Sequence, residues 1–196
     1  MTGGALRARR PGRSSDSAMD REKGCGTSME VRHINAFLEA TKAVFDTMVK
    51  APVTFEKPQM AAGRANYDVS GVIGLSGDVV GSVIVGFSTE SAVKIASAFA
   101  CSPLTPGTPD FADAIGELAN MIAGGAKAKF EGQAVSIGCP SVVVAPAHQI
   151  SSPSGAASIC IYCNTSMGRF AIDVTMQSSV QRANTTNNTA AGVRAA

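Results

Sequence analysis

The sequence predicts an α+β domain in which an antiparallel sheet is covered on one face by helices. Three observations support this fold class. An apolar spacing typical of a helix opens the patterned region, two β-rich runs joined by a tight-turn sequence follow, and two helical segments then precede four more β-like runs. The chain has 196 residues, 45% hydrophobic and 16% charged, so it suits one domain with tails and a sizeable core.

The chain divides into a leader, a patterned region and a tail. Residues 1–28 are rich in Arg, Gly and Ser, show no apolar periodicity and carry a net charge of +3, so we expect a disordered basic leader. The predicted domain covers residues 29–176, and residues 177–196 form a polar, flexible tail. Met29 directly precedes the first helical pattern and is an alternative start of the protein.

The first half of the domain predicts one helix, a short strand and a hairpin. Helical spacing places six apolar residues on one face, and Pro52 ends the helix: Ile34, Phe37, Leu38, Phe45, Met48 and Val49. A short strand begins at Val53–Phe55. The β-rich runs 67–75 and 79–87 are separated by Ser76-Gly77-Asp78, which predicts a tight hairpin turn.

The second half predicts two helices and four strands. Ser88 or Thr89 caps the second helix, which ends before the proline-rich loop at 103–109. Asp110 caps a third helix running to about Phe130, with Asp113 at its third position, where a carboxylate favours the positive helix end. The four β-like segments are residues 135–137, 141–145, 158–163 and 169–176.

Composition excludes several classes of function. Residues 29–196 carry a net charge of −1, which argues against a nucleic-acid surface on the fold. No apolar run reaches the ~18 residues of a membrane span, and the leader lacks the apolar centre of a secretory signal. We therefore predict a cytoplasmic protein that binds neither nucleic acid nor membrane. Its five cysteines, an odd number, are expected to be reduced.

Three other patterns suggest sites but are better explained by structure. Cys160 and Cys163 would point to opposite faces of a strand and no second pair accompanies them, so we predict core thiols and no metal. His33 and His148 lack neighbours that would make either a base or a ligand, and we predict surface positions. The glycines at 71, 74 and 77 do not have the spacing of a dinucleotide-binding loop.

The third helix carries a short polar stripe. Asp113, Glu117, Asn120 and Gly124 fall within a ~60° arc of this helix. The residues roughly opposite are Phe111, Ile115, Leu118, Ile122 and Gly125. A solvated face would normally carry long Lys, Glu and Arg side chains, so this stripe indicates that a partner comes close. Gly124 and Gly125 weaken a helix, and either partner contact or packing on the sheet explains them.

The stripe suggests hydrolysis of a bond that is already reactive. The amide of Asn120 can hold a water molecule without titrating, and the carboxylate of Glu117 can bind a lysine of a partner. Neither is a good nucleophile, and no histidine is nearby in the sequence to activate one. Water attack on an aspartyl phosphate fits, because positioning supplies most of the rate gain.

The stripe also resembles a family signature. Asp113-x3-Glu117-x2-Asn120, followed about twenty residues later by Pro140 at the start of a strand, resembles the signature of the CheX/CheC/FliY phosphatases of bacterial chemotaxis. The segment from Met29 is similar to the start of CheX proteins, and the likeness spans roughly residues 29–176. CheC proteins usually contain two such helices. The single helix here therefore favours a CheX-like member, which implies a CheC/CheX-like architecture and a homodimer.

The resemblance implies a hydrolase that acts on the aspartyl phosphate of a CheY-like receiver domain. Glu117 would bind the receiver's lysine and Asn120 would align the attacking water, while Asp113, Gly124 and Pro140 would contact the receiver. This chain would bind no cofactor, since the receiver would hold Mg²⁺. A helix-end role accounts for Asp113 without any part in catalysis and is the favoured explanation. Two alternatives remain: a non-catalytic module docking on receiver, flagellar-switch or signalling proteins, and a purely structural dimerisation domain.

Overall fold

The computed structural model describes residue 1 and residues 31–60, 66–151 and 158–179. Residues 2–28 of the predicted leader, the alternative start at Met29 and residues 180–196 of the predicted tail lie outside the described residues.

Three helices and one antiparallel sheet make up the described fold. The helices are α1 (Val31–Val44, continued by a π-helical turn at Phe45–Val49), α2 (Thr89–Phe99) and α3 (Pro109–Lys127). The strands are β1 (Thr54–Phe55), β2 (Gln59–Met60), β3 (Tyr67–Gly77), β4 (Val79–Phe87), β5 (Val135–Ile137), β6 (Ser141–His148), β7 (Ser158–Thr165) and β8 (Gly168–Ser178). The strand order is β1-β7-β8-β4-β3-β5, with β2 also paired to β7 and β6 to β3. The predicted fold class is confirmed.

All three helices pack on one face of the sheet. Alternate residues of β3, β4 and β8 form one core with the buried faces of the helices, as the period of two along a strand requires. Representative members are Ile73, Val85 and Ile172 from the sheet and Phe37, Ile95 and Ile122 from the helices. The helix α3 lies between α1 and the sheet, so its inner face contacts both layers. This central position fixes the rotation of α3.

The hairpin prediction is confirmed, and several strands extend beyond the predicted bounds. Gly77 has a φ of 109°, a conformation that glycine adopts easily, and it joins β3 to β4. The short strand β2 was not predicted, because its two residues are both exposed and show no alternation of apolar and polar side chains. The strand β8 continues through Gln177 and Ser178, which pair with β4, so the sheet extends into the first two residues of the predicted tail.

The first helix ends differently from the prediction. Its last turn is a π-helix, and Lys50 closes it with a φ of 60°, two residues before Pro52. The wider turn buries both Phe45 and Val49 but turns Met48 outward, where it is 40% exposed. The assignment of Met48 to the buried face was therefore wrong.

The prediction of a surface position was also wrong for His33, and His148 is only partly exposed. His33 is only 2% exposed, with Nε2 2.9 Å from Oε1 of Gln133 and its ring edge-on to Phe130. His148 is half-buried, with Nε2 2.8 Å from the hydroxyl of Ser70. Each ring meets a polar partner from a distant part of the chain, which stabilises it in the interior.

The two strand cysteines are buried on opposite faces of the sheet, as predicted. Cys163 belongs to the main core, and Cys160 packs on the other face with Tyr67, Ile84 and Ala171. Burial raises the pKa of Cys160 to about 12 and also raises the pKa of Cys163, so neither thiol is a ready thiolate at neutral pH. No described helix has the length and apolar character needed to cross a membrane.

Candidate active site

The helix that carries the stripe begins two residues earlier than predicted. Thr108 is the N-cap, and its hydroxyl accepts a hydrogen bond from the backbone N–H of Phe111 at 3.4 Å. Pro109 follows as the first helical residue, where its fixed φ suits a helix start. The predicted cap at Asp110 was therefore wrong. Asp113 now lies in the second turn, so a role at the helix end no longer explains it.

The rotation of α3 agrees with the predicted stripe. Phe111, Ile115, Leu118 and Ile122 are fully buried against the sheet and the other helices. Asp113 and Glu117 are exposed on the opposite face, and Asn120 and Gly124 are half-buried beside them. The helix is continuous from Pro109 to Lys127, so its regular period brings the four stripe positions together on one outward surface.

Glu117 and Asn120 touch each other only loosely. The amide Nδ2 of Asn120 donates to Oε2 of Glu117 across 3.4 Å, longer than the usual 2.7–3.2 Å of a protein hydrogen bond. Neither Glu117 nor Asp113 forms an ion pair with another described residue. The Glu117 carboxylate and the Asn120 amide therefore keep most of their hydrogen-bonding capacity for an external group.

Pro140 lies beside the stripe, although it is twenty residues away along the chain. It directly precedes β6 and packs on Gly116. A Cβ added to Gly116 would lie 3.4 Å from the Cβ of Pro140. Gly116 flanks the stripe on α3, one turn after Asp113 and one turn before Asn120. The connection from β5 to β6 thus forms a wall along one side of the stripe. Sequence reasoning missed Gly116, because a glycine inside a helix does not reveal what packs on it.

The two adjacent glycines of α3 have different explanations. A Cβ at Gly125 would stand 3.1 Å from the Cβ of Ala40, so this glycine lets α1 pack closely on α3. At Gly124 the nearest atom would be Cδ1 of Ile137 at 3.7 Å, an ordinary contact. Packing among the described residues therefore accounts for Gly125 but not for Gly124.

A separate cavity of about 350 Å³ lies between the start of α2 and the β7–β8 turn. The guanidinium of Arg169, on its wall, stacks on Tyr162 at 3.9 Å and pairs with Glu56 at 3.0 Å. The hydroxyls of Ser88 and Ser91 are 3.0 Å apart and bond to each other. These polar groups are satisfied within the chain, and no predicted site residue lines the cavity, so the surface of α3 is the better candidate.

No metal site is evident in the part of the chain that the structure describes. Residues 31–60, 66–151 and 158–179 contain no group of three His, Cys, Asp or Glu side chains arranged to hold a metal ion. Asp113 and Glu117 are two exposed carboxylates on one face of α3, next to the neutral amide of Asn120. Two carboxylates alone do not make up such a group.

The fold and the stripe together define an α+β protein in which one face of a central helix is turned outward. Comparison with known proteins assigns it further. The family model for the chemotaxis phosphatase CheX matches residues 69–164, a range that includes the whole stripe and Pro140. The CheY-P phosphatase CheX of Thermotoga maritima is 33% identical over 119 residues, which are 59% of this chain and 77% of that protein. The chain therefore belongs to the chemotaxis phosphatase CheX family.

Solved structures agree with this assignment. A crystal structure of a chemotaxis protein CheX from Desulfovibrio desulfuricans superposes with a TM-score of 0.71 at 29% identity, covering 75% of this chain and 100% of that one. The CheX of a CheX–CheY–BeF3–Mg²⁺ complex from Borrelia burgdorferi gives a TM-score of 0.64 at 22% identity, over 74% and 98% of the two chains. At that identity the second likeness shows the fold alone.

Proposed function

We propose that this protein is a phosphatase that hydrolyses the aspartyl phosphate of a CheY-like receiver domain in the cytoplasm. The observation that carries the proposal is the rotation of α3, which buries one face completely and presents Glu117 and Asn120 side by side on the other. The CheX relative from Thermotoga maritima, a CheY-P phosphatase, supports the choice of substrate.

In the proposed complex, α3 enters the active-site cleft of the receiver and Glu117 binds its lysine. The carboxylate is exposed and forms no ion pair with another described residue, so it can meet an ammonium group without first breaking an ion pair. A charge-assisted hydrogen bond of this kind is roughly twice as strong as a neutral one. Glu117 would therefore both hold and orient the docked receiver.

Asn120 would position the water that attacks the phosphorus atom. Its amide carries an acceptor and two donors, and its 3.4 Å contact with Glu117 is weak enough to be exchanged for water. The water oxygen forms the new bond to phosphorus while the bond from phosphorus to the aspartate oxygen breaks. Inorganic phosphate and a free carboxylate result, and the water's proton leaves with the phosphate or to solvent. Alignment of water with the breaking bond is the main contribution of this chain.

Mg²⁺ belongs to the receiver in this proposal. Phosphoryl transfer places negative charge on the equatorial oxygens, and a metal ion next to the phosphate stabilises that charge. This chain supplies the helix, the carboxylate and the amide, and we assign it no cofactor of its own.

Three further residues shape the contact surface. Asp113 is exposed one turn before Glu117, and Pro140 forms the wall beside the stripe. Gly124 keeps the end of the stripe free of a side chain, and packing within the chain does not require this. We propose that the receiver's backbone approaches closely at Gly124.

The proposed assembly is a homodimer formed through sheet edges. Among the described strands, β6 pairs only with β3, so its other edge carries unpaired backbone groups. The strand contains Val142, Val143 and Val144, and Val144 is 44% exposed. An edge of this kind is a ready surface for a second copy.

The experiment that tests the function mixes the purified chain with a phosphorylated CheY-like receiver and Mg²⁺ and follows the lifetime of the phosphoryl group. We expect the chain to shorten this lifetime catalytically, with each molecule dephosphorylating many receivers. Binding without a shorter lifetime would instead identify a docking module. An unchanged lifetime without binding would leave a purely structural dimerisation domain as the remaining interpretation.

A further inference from the structure

Strand β3 and helix α3 come unusually close at Gly71. A Cβ at this position would stand 2.8 Å from the Cβ of Ala119 and 3.2 Å from the backbone oxygen of Ile115. Both neighbours belong to α3, and both are fully buried. The helix α3 therefore occupies the space that a side chain at position 71 would need.

The glycines singled out in β3 have separate roles. Gly77 makes the hairpin turn, and a Cβ at Gly74 would meet no atom of residues 31–60, 66–151 or 158–179 within 4 Å. Only Gly71 lies beneath α3. Its place in the strand is therefore explained by the helix and not by the conformation of its own backbone, since its φ is not positive.

The contact at Gly71 lies on the opposite side of α3 from Glu117. Ile115 and Ala119 each lie two positions from Glu117, which places them ~160° around the helix from it. Because Glu117 lies on the other side of α3, movement of the helix away from Gly71 would carry Glu117 further from β3. Asn120, next to Ala119 in the chain, moves with it.

We propose that Gly71 is a positioning residue for the phosphatase site: by leaving no side chain beneath Ile115 and Ala119, it sets how far Glu117 and Asn120 project from the sheet. This inference rests on the proposed function. Gly71 touches neither substrate nor water, and it acts through the height of α3.

The size of the effect follows from contact distances. Two non-bonded carbon atoms prefer a separation of ~3.5–4.0 Å. With the present backbone, a methyl group at position 71 would lie only 2.8 Å from the Cβ of Ala119, so Ala119 must move away by about 0.7 Å. A misplacement of about 1 Å can lower a rate on the order of 100-fold. We expect Gly71→Ala to lower kcat at least about tenfold while KM changes less than about threefold, because the contact surface itself is intact.

Two variants separate positioning from general damage. Gly74→Ala is the matched control, because it adds the same methyl group to the same strand, at a position where no described residue lies within 4 Å. Gly71→Ala combined with Ala119→Gly moves the methyl group from the helix to the strand. This double variant removes the 2.8 Å contact, and only the 3.2 Å approach to Ile115 remains. It should regain most of the lost kcat, and Ala119→Gly alone corrects for the effect of glycine in a helix.

The test measures kcat and KM on a phosphorylated CheY-like receiver for the parent and these variants, with circular dichroism to confirm folding and crystal structures of the parent and Gly71→Ala. We expect Glu117 to lie further from the sheet in Gly71→Ala, with a low kcat that the double variant restores. If Gly71→Ala does not fold, Ala119→Ser takes its place, since it adds one atom at the same contact.

Two results would overturn the inference: a kcat for Gly71→Ala equal to that of Gly74→Ala, or a loss that persists in the double variant. An inactive parent would refute the proposed function instead. In that case the crystal structures decide whether Gly71 sets the height of α3, because an undisplaced helix in Gly71→Ala contradicts it without any reference to activity.

Discussion

Asn120 donates to Glu117 across 3.4 Å on the outward face of α3, one helical turn apart. The contact holds the two side chains next to each other, but it is too long and weak to use up their hydrogen-bonding capacity. The opposite face of the helix is fully buried, so the chain cannot rotate α3 to hide the pair without losing its core. The pair therefore stays on the outer surface of the fold.

Loss of the charge of Glu117 should weaken the productive complex. Glu117→Gln keeps the shape of the side chain but cannot form an ion pair with the receiver's lysine. A hydrogen bond to a charged group contributes about 1.5–3 kcal/mol, so kcat/KM should fall roughly 10- to 100-fold. The kcat/KM of the parent should also fall more steeply with added salt than that of the variant. Glu131→Gln, an exposed control, should behave like the parent, and equal salt dependence of Glu117→Gln and the parent would refute the ion pair.

Gly124→Ala should separate stability from activity. Alanine is favoured over glycine in a helix by about 0.8–1.0 kcal/mol, and the added methyl group meets only Cδ1 of Ile137 at 3.7 Å. The melting temperature should therefore rise while kcat/KM falls, because the methyl group stands where the receiver approaches.

The neighbouring substitution provides the contrast. Gly125→Ala brings a methyl group to 3.1 Å from the Cβ of Ala40, so the gain from helix propensity is offset and the melting temperature should not rise as much. A Gly124→Ala protein with both a higher melting temperature and full kcat/KM would remove Gly124 from the contact surface.

Asp68 should make the fold sensitive to acid. Its carboxylate accepts hydrogen bonds from the backbone N–H groups of Ala147 at 3.1 Å and Thr89 at 3.0 Å, and these lower its pKa. Because the folded pKa lies below the unfolded value of about 3.9, this stabilisation is fully present above pH 4. It is lost as the pH falls through the folded pKa.

Urea denaturation of Asp68→Asn tests this prediction. The variant should be less stable than the parent at pH 7, and the difference should shrink as the pH is lowered below about 4. Asp46→Asn, which removes an exposed ion pair with Lys42, is the control. A difference between Asp68→Asn and the parent that stays constant from pH 7 to pH 3 would show that the charge of Asp68 is not responsible.

Self-association through β6 can be measured by light scattering. The parent should show the mass of a dimer, and Val144→Lys should shift the equilibrium toward the monomer, because a lysine on an edge strand opposes pairing. Met48→Lys, at an exposed position on the end of α1, is the control. A monomer mass at every concentration of the parent would contradict the proposed dimer.

The sequence predicted those features that depend on local spacing. The outward stripe of α3 follows from the period of the helix, which Phe111 and Ile122 fix by their burial on the other side. The β3–β4 hairpin follows from the turn at Gly77. Both depend on residues that are close together along the chain, so the local pattern was enough to predict them.

Contacts between distant segments were beyond the reach of sequence patterns. His33 is buried because Gln133, a hundred residues away, meets its ring, and no local signal reveals this partner. The N-cap at Thr108 was missed because Asp110 is an equally good capping residue, and the choice depends on how Pro109 starts the helix. Gly71 looked like one of three spaced glycines, and only the structure places α3 above it.

The measurement that tests the central claim most directly is single-turnover dephosphorylation of a phosphorylated CheY-like receiver by saturating amounts of the parent, Asn120→Ala and Asn35→Ala. Asn35 is exposed on α1 and serves as the matched control. If Asn120 aligns the attacking water, Asn120→Ala should slow the reaction on the order of 100-fold, and Asn35→Ala should match the parent. Equal rates for Asn120→Ala and the parent would contradict the account, since the amide would then have no part in the hydrolysis.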